Sequence, residues 1–285
     1  MLNKINTKNQ NLSKIVAWCC GLGIMLWSIL LTKKFINFGY YDWDLAIYAQ
    51  AMWRMIHGSL NVSLFGMNFL GNHAEYVSFF IAPIYFLFPH PLTLLFLKII
   101  SFFTAAYILF HIAKKYLPGA ISFVIFLLCI FYPANIFMLV FEFHFESLAL
   151  PLLMGILWAF LEKKIKIFLI LSFFLCLVKE NMPLIVIMFG VCSLFRKETH
   201  KWLWGGIPIL FGMIYFLVTL FYLIPLSRAG LPSTEHIYWG LFGHLSSTPL
   251  GIIKKLLLEP TFFLQQIITK QNIQYMQSLF TPLAY

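Results

Sequence analysis

Apolar residues along this chain fall into runs too long and too unbroken for the helices of a water-soluble domain. They cover residues 15–31, 92–113, 120–140, 147–161, 165–178, 182–195 and 202–224. Apolar residues dominate each of them, which suits a helix surrounded by lipid better than one with a wet face. Val77 to Phe88 is also apolar but has only about a dozen residues before Pro89-His90-Pro91. At 1.5 Å per residue such a helix covers roughly 18 Å, short of a ~30 Å hydrocarbon core, so we expect it to dip in without crossing. Leu45 to His57 places Leu45, Ala49, Met52, Trp53 and Ile56 at helical spacing, the pattern of a short amphipathic interfacial helix. Ile252 to Gln266 predicts another. The pattern as a whole predicts an all-α, polytopic transmembrane bundle of about seven spans with interfacial helices in its first external loop.

Composition supports this reading. The 285 residues are 61% hydrophobic and only 11% charged, with a mean hydropathy of +0.86. A soluble domain carries about a quarter charged residues, so the missing charge excludes a water-facing surface of this size. The five cysteines (Cys19, Cys20, Cys129, Cys176, Cys192) sit within apolar runs without CxxC spacing and read as small packing residues. The first run follows Lys4, Lys8 and Lys14, as in a signal peptide. It ends at Thr32-Lys33-Lys34 with no small-x-small site, so we expect a retained helix.

Net charge is +10, yet the basic residues form short clusters between apolar runs rather than one basic face, which argues against nucleic acid as a partner. The N-terminal lysines, Lys114-Lys115, Lys163-Lys164-Lys166 and Arg196-Lys197-Lys201 hold 11 of the 20 basic residues. They share one side only if residues 77–88 do not cross. The positive-inside rule then places the N-terminus and these loops in the cytoplasm of a cytoplasmic-membrane protein. One transmembrane domain over residues 1–285 is expected. Residues 1–14 would be cytoplasmic, 33–91 would form the first external loop, and 225–285 would be external or interfacial.

That topology sorts the remaining charge. Asp42, Asp44, His73, Glu75, Glu142, His144, Glu146, Lys179 and Glu180 all fall in loops assigned outside, close to membrane ends where ionisable groups are expensive. Phe141-Glu142-Phe143-His144-Phe145-Glu146 alternates aromatic and ionisable residues. Extended, it puts Glu142, His144 and Glu146 on one face; helical, it pairs Glu142 with Glu146 and turns His144 away. Either form suits a divalent cation or a phosphate-linked sugar, and so does the plainer role of an aromatic-anchored interfacial loop. Lys179-Glu180 interrupts some thirty apolar residues. Neighbours on a helix point apart, so each needs a partner elsewhere unless the pair marks a simple turn. A helix starting at Leu45 would make Asp44 its N-cap.

In order, the chain carries Asp44-x-x-Ile47-x-x-Gln50-x-x-Trp53 and Gly71-Asn72-His73. Ala82-Pro83-Ile84-Tyr85-x-Leu87-Phe88-Pro89, Phe141 to Glu146 and Val178-Lys179-Glu180-Asn181 follow. As a set these resemble the bacterial membrane proteins of the domain-of-unknown-function family twenty seventy-nine, over about Tyr40 to Phe195. Asn72 and Glu142 stand where that family usually has Asp. The family in turn looks like the GT-C membrane glycosyltransferases, which take sugars from polyprenyl-phosphate carriers. That resemblance implies a catalytic acidic residue in the first external loop, matched by Asp44. It implies a second acidic motif for metal or substrate after the third span, matched by Glu142, His144 and Glu146. Members are generally longer, and a further apolar segment begins just before Tyr285, as expected of a fragment or a short family member.

The expected activity is sugar transfer on the outer membrane face from a polyprenyl-phosphate donor. Asp44 would act as base, with Asp42, His73, Glu142, His144, Glu146, Lys179 and Glu180 binding substrate. A divalent ion on Glu142, His144 and Glu146 is the expected cofactor, and membrane lipid a standing partner. The alternative is a non-enzymatic carrier of a lipid-linked or small anionic solute, or an assembly partner.

Overall fold

The computed structural model describes residues 2–41, 43–196, 200–228, 243–246 and 249–283. Asp42, one of the expected substrate-binding residues, lies outside the described residues. The first compact unit spans residues 1–131 and 135–229; the second holds 132–134 and 230–285.

In the first unit, α1 (Leu2–Ile36) leads to α2 (Asp44–Ile56) and a two-stranded antiparallel hairpin, β1 (Asn61–Val62) and β2 (Met67–Asn68). Then come α3 (Ser78–Leu87), α4 (Pro91–Tyr116), α5 (Gly119–Phe131) and α6 (Pro133–Val140). A 3-10 turn at Phe145–Leu148 opens into α7 (Ala149–Leu161), followed by α8 (Ile165–Cys176) and α9 (Pro183–Leu194). α10 (Ile207–Val218) has a π-helical turn on each side, Trp202–Gly206 and Thr219–Leu223, before α11 (Ile224–Ser227). α4 is the central helix, packed on α1, α5 and α7, with Leu94, Leu95, Ile99, Phe102 and Phe110 buried. Its start is set by Pro91, whose missing N–H costs nothing in a first turn, and by His90 Nδ1, which accepts from Leu92 N at 3.2 Å. Gly23 lets α1 approach: a Cβ there would sit 2.3 Å from the Phe103 ring. The outward face of α1 stays apolar and uncovered, with Trp18 80% exposed, as a lipid-facing helix requires.

Three described helices are long and apolar enough to cross a membrane: Asn11–Ile36, Pro91–Tyr116 and Trp202–Ser227. A fourth counts if α5 and α6, bent by 45°, form one broken span. The sequence led us to expect one unbroken helix over 120–140. Pro133 supplies no N–H and starts a new helix instead. The run 165–195 divides as expected into α8 and α9, but both are short, as is Phe145–Leu161. By length and composition the described spans are therefore three to four, fewer than the seven expected.

α3 has ten residues, as short as its apolar run suggested. Val77 N donates to Leu177 O at the end of α8, and His90 packs edge-on against Phe35 at the end of α1. Both ends of α3 thus lie at the same end of the bundle. The opposite end gathers the basic clusters. Lys114 donates to Ser13 Oγ, Lys115 pairs with Glu162, and Arg196 donates to Phe160 O and stacks on its ring.

In the second unit, α12 (Pro249–Leu258), α13 (Pro260–Ile267) and α14 (Lys270–Phe280) are amphipathic. The single interfacial helix expected over 252–266 is broken at Pro260, which opens α13.

Candidate functional site

The ionisable residues converge at the end of the first unit opposite the basic clusters. α2 contributes Asp44 and Tyr48. Gln50, further along the same helix, fixes the hairpin: its amide donates to Ser63 Oγ (2.7 Å) and accepts from Ser63 N (3.1 Å). His144 stands in an extended stretch (φ −136°, ψ 143°) between α6 and the turn at Phe145. There His144 Nε2 lies 2.9 Å from Asp44 Oδ2, and its other ring nitrogen lies 3.9 Å from Glu146 Oε2. Lys179, in the turn after α8, donates to Glu146 Oε1. The neighbouring Glu180 reaches the other way, accepting from His73 Nδ1 (2.8 Å) and Ala74 N (2.9 Å). The two members of Lys179-Glu180 thus find separate partners, as the sequence required.

Behind this row Tyr48 donates to Glu75 Oε1 at 3.0 Å, both side chains buried. Burial pushes the Glu75 carboxyl well above its ordinary range, aided by the charge of Glu146. Burial likewise raises the Tyr48 phenol, so both members of this pair favour their neutral forms. For Glu146 burial acts upward too, but the Lys179 ammonium beside it outweighs that effect and holds the carboxyl below its usual value. Burial would lower Lys179, and the glutamates around it, Glu146 foremost, raise it instead.

Two expectations are corrected. Asp44 does not cap α2: the helix begins at Asp44 itself, and the N-terminal amide of Leu45 donates to Glu142 Oε2 at 2.5 Å. Glu142, from a segment 97 residues away, therefore closes the helix end and satisfies one of its orphan donors. Nor do Glu142, His144 and Glu146 form a metal-ligand set. The chain is extended to His144 and then turns into a 3-10 helix, so Glu142 is drawn to α2 and Glu146 to Lys179. Among the described residues no group of three His, Cys, Asp or Glu side chains is placed to hold a metal ion.

A cavity of about 360 Å³ opens beside this row. Its lining is largely apolar, with Phe137, Met138, Phe141 and Leu150, and Lys98, Glu142, His144, Glu146 and Ser147 complete it. Lys98 was not among the expected site residues. Its ammonium is buried and donates to Phe141 O (2.5 Å) and Glu142 O (3.4 Å). Lys34 performs a matching task on the exposed side, donating to Val140 O at 2.8 Å and lying over the Tyr40 ring. The signal for Lys98 was present in the sequence as a lysine inside the apolar run 92–113.

The family model described as "Predicted membrane protein (DUF2079)" matches residues 34–285, from the end of α1 onward. The chain belongs to the DUF2079 family. No curated protein and no solved structure matches it.

Within this DUF2079 protein the matched region contains the whole of the row just described. One further contact ties the row to the last long helix: Arg228, at the end of α11, donates to Gly71 O at 3.3 Å, beside His73. The arrangement supplies an Asp–His pair beside a largely apolar cavity, a neutral buried Tyr48–Glu75 pair behind it, and an ion pair that keeps Glu146 charged.

Proposed function

We propose that this DUF2079 protein is a GT-C-like transferase of the cytoplasmic membrane, its N-terminus and basic loops on the cytoplasmic side. It moves a sugar from a polyprenyl-phosphate donor to an acceptor hydroxyl on the outer face. The observation that carries this reading is the Asp44–His144 pair at 2.9 Å, at the polar edge of a largely apolar cavity that His144 lines. A lipid-linked phosphosugar needs such a site, with the isoprenoid against Phe137, Phe141 and Leu150 and the sugar phosphate against the polar row. Asp44 takes the acceptor's proton as its oxygen attacks the anomeric carbon, and the phosphate leaves with the bonding electrons. His144 fixes the carboxylate's direction through Nε2, and Glu146, His73, Glu180 and Lys179 position the donor and acceptor around it.

Asp44→Asn tests this reading, because Glu142 rather than Asp44 closes α2 and the change leaves the helix end intact. Transfer from a radiolabelled polyprenyl-phosphate sugar in membranes should fall by roughly 10²- to 10⁴-fold at unchanged expression. Wild-type transfer by this variant would remove Asp44 from the mechanism.

A second reading draws on Lys98, a buried cation within a spanning-length helix. Such groups also line the paths of carriers for anionic or lipid-linked solutes. Substrate uptake into vesicles with no covalent transfer would favour it.

A further inference from the structure

Lys98 ties down carbonyls just past the end of α6, a task that does not by itself call for a buried ammonium. The end of α6 presents successive carbonyls at Val140, Phe141 and Glu142. Lys34 already serves the first of these from the exposed side. Lys98 takes the other two from within the cavity, across 43 and 44 residues of sequence. An ammonium carries three donors and no acceptor, so two carbonyls leave one N–H to be placed. Among the described residues no carboxylate forms an ion pair with it; the glutamates that share the cavity are engaged by Leu45 N–H and by Lys179. Burying an ammonium against carbonyls alone is costly, and that cost falls when an anion enters beside it. Lys179, a cation expected to bind substrate, does not line the cavity.

We infer that Lys98 makes this cavity a receptor for a phosphate-class anion, holding the phosphate at its ammonium and leaving the wall of Phe137, Met138, Phe141 and Leu150 to an apolar tail. The inference rests on the proposed function in taking this cavity as the substrate site, and it assigns the phosphate to a residue on α4. A lipid phosphate headgroup and free phosphate share this chemistry. The wall favours the former, since a lipid tail would occupy surface that a free ion leaves dry.

The test is binding to the full chain in lipid nanodiscs, with farnesyl phosphate, farnesol and inorganic phosphate as probes. The wild type should bind farnesyl phosphate about tenfold or more tightly than farnesol, the scale of one buried charge-assisted contact. Lys98→Met should abolish that preference while leaving farnesol binding unchanged. Lys98→Gln, which retains an N–H for Phe141 O, should lose it as well. Competition by millimolar inorganic phosphate would support the anion site and identify its source as the free ion. A preference retained in Lys98→Met or Lys98→Gln, or absent in the wild type, overturns the inference. A photoreactive farnesyl phosphate needs no variant: it should label the wild type within α4, α6 or residues 141–150, and labelling confined elsewhere also overturns it. Lys98-dependent binding without any sugar transfer would strike only the transferase reading. Normal transfer with Lys98-independent binding would strike only this one.

Discussion

Lys179→Met isolates the electrostatics that hold the polar row together. Lys179 is 13% exposed and donates to Glu146, which is 31% exposed, while Glu180 adds its charge nearby. Breaking a fully buried pair by removing one partner costs about 3–5 kcal/mol. Water reaches part of Glu146, which discounts the orphaned charge to about 2–3 kcal/mol. The sign of the pH dependence is the sharper outcome. With Lys179 present, Glu146 sits below its ordinary value of 4.5, so its contribution is complete above 4.5 and is lost only as pH falls through the folded value. Without Lys179, burial dominates and raises Glu146, and Glu75 loses the neighbour that had been lowering it. A carboxyl raised in the folded state keeps a proton that the unfolded chain releases, so stability then falls as pH rises above about 4.5. The deficit of Lys179→Met relative to wild type should therefore be larger at pH 8 than at pH 5. Titration with SDS in dodecyl maltoside micelles, followed by tryptophan fluorescence, measures it. The double variant Glu146→Gln/Lys179→Met should recover about 1–3 kcal/mol of the loss. Equal deficits at the two pH values, or a double variant no more stable than Lys179→Met, would refute the reasoning.

Gly71→Ala places a Cβ 3.0 Å from Ser227 O and 3.1 Å from Arg228 Cγ, pressing α11 away from the loop that carries His73. A loss of about 1–2 kcal/mol in the same SDS titration is expected, and an unchanged midpoint would show that the contact yields freely. For orientation, single cysteines replacing Phe38, 87% exposed at the site end, and Lys164 at the basic end should label oppositely in a cysteine-free chain. An impermeant maleimide added to intact cells should modify position 38 and spare 164; the reverse pattern would invert the membrane topology.

Much of this arrangement was legible from residue spacing. Positive-inside counting with a non-crossing 77–88 segment separated the basic loops from Asp44, His73, Glu142, His144, Glu146, Lys179 and Glu180. The bundle keeps those two sets at opposite ends. The amphipathic period of residues 45–57 located α2 to within a residue, because Ala, Leu and Met at that spacing leave few alternatives. Pairings were not legible. His73 meets Glu180 across 107 residues, and neither sequence neighbourhood specifies the other. The break at Pro133 was open to reading in advance, since proline removes a helix donor wherever it falls. Glu75 and Tyr48 went unassigned because a buried carboxyl beside a phenol leaves no periodic trace.

The division of labour between Asp44 and Glu142 bears directly on which carboxylate does chemistry. A base placed at a helix N-terminus faces a conflict, since amides and dipole that orient it also reduce its appetite for a proton. Here the two tasks fall on different residues. Glu142 takes the Leu45 amide, and its own backbone is fastened from the far side by Lys98, so its position is set on both sides. Asp44, in the first turn of α2, leaves the Leu45 amide to Glu142 and meets His144. The cap joins α2 to the segment after α6, and through it the Asp44–His144 distance depends on a contact outside the pair. A change at Glu142 would therefore move Asp44 relative to His144 without touching either. That coupling explains why the acidic residue beside Phe141 is buried rather than displayed to solvent as a ligand.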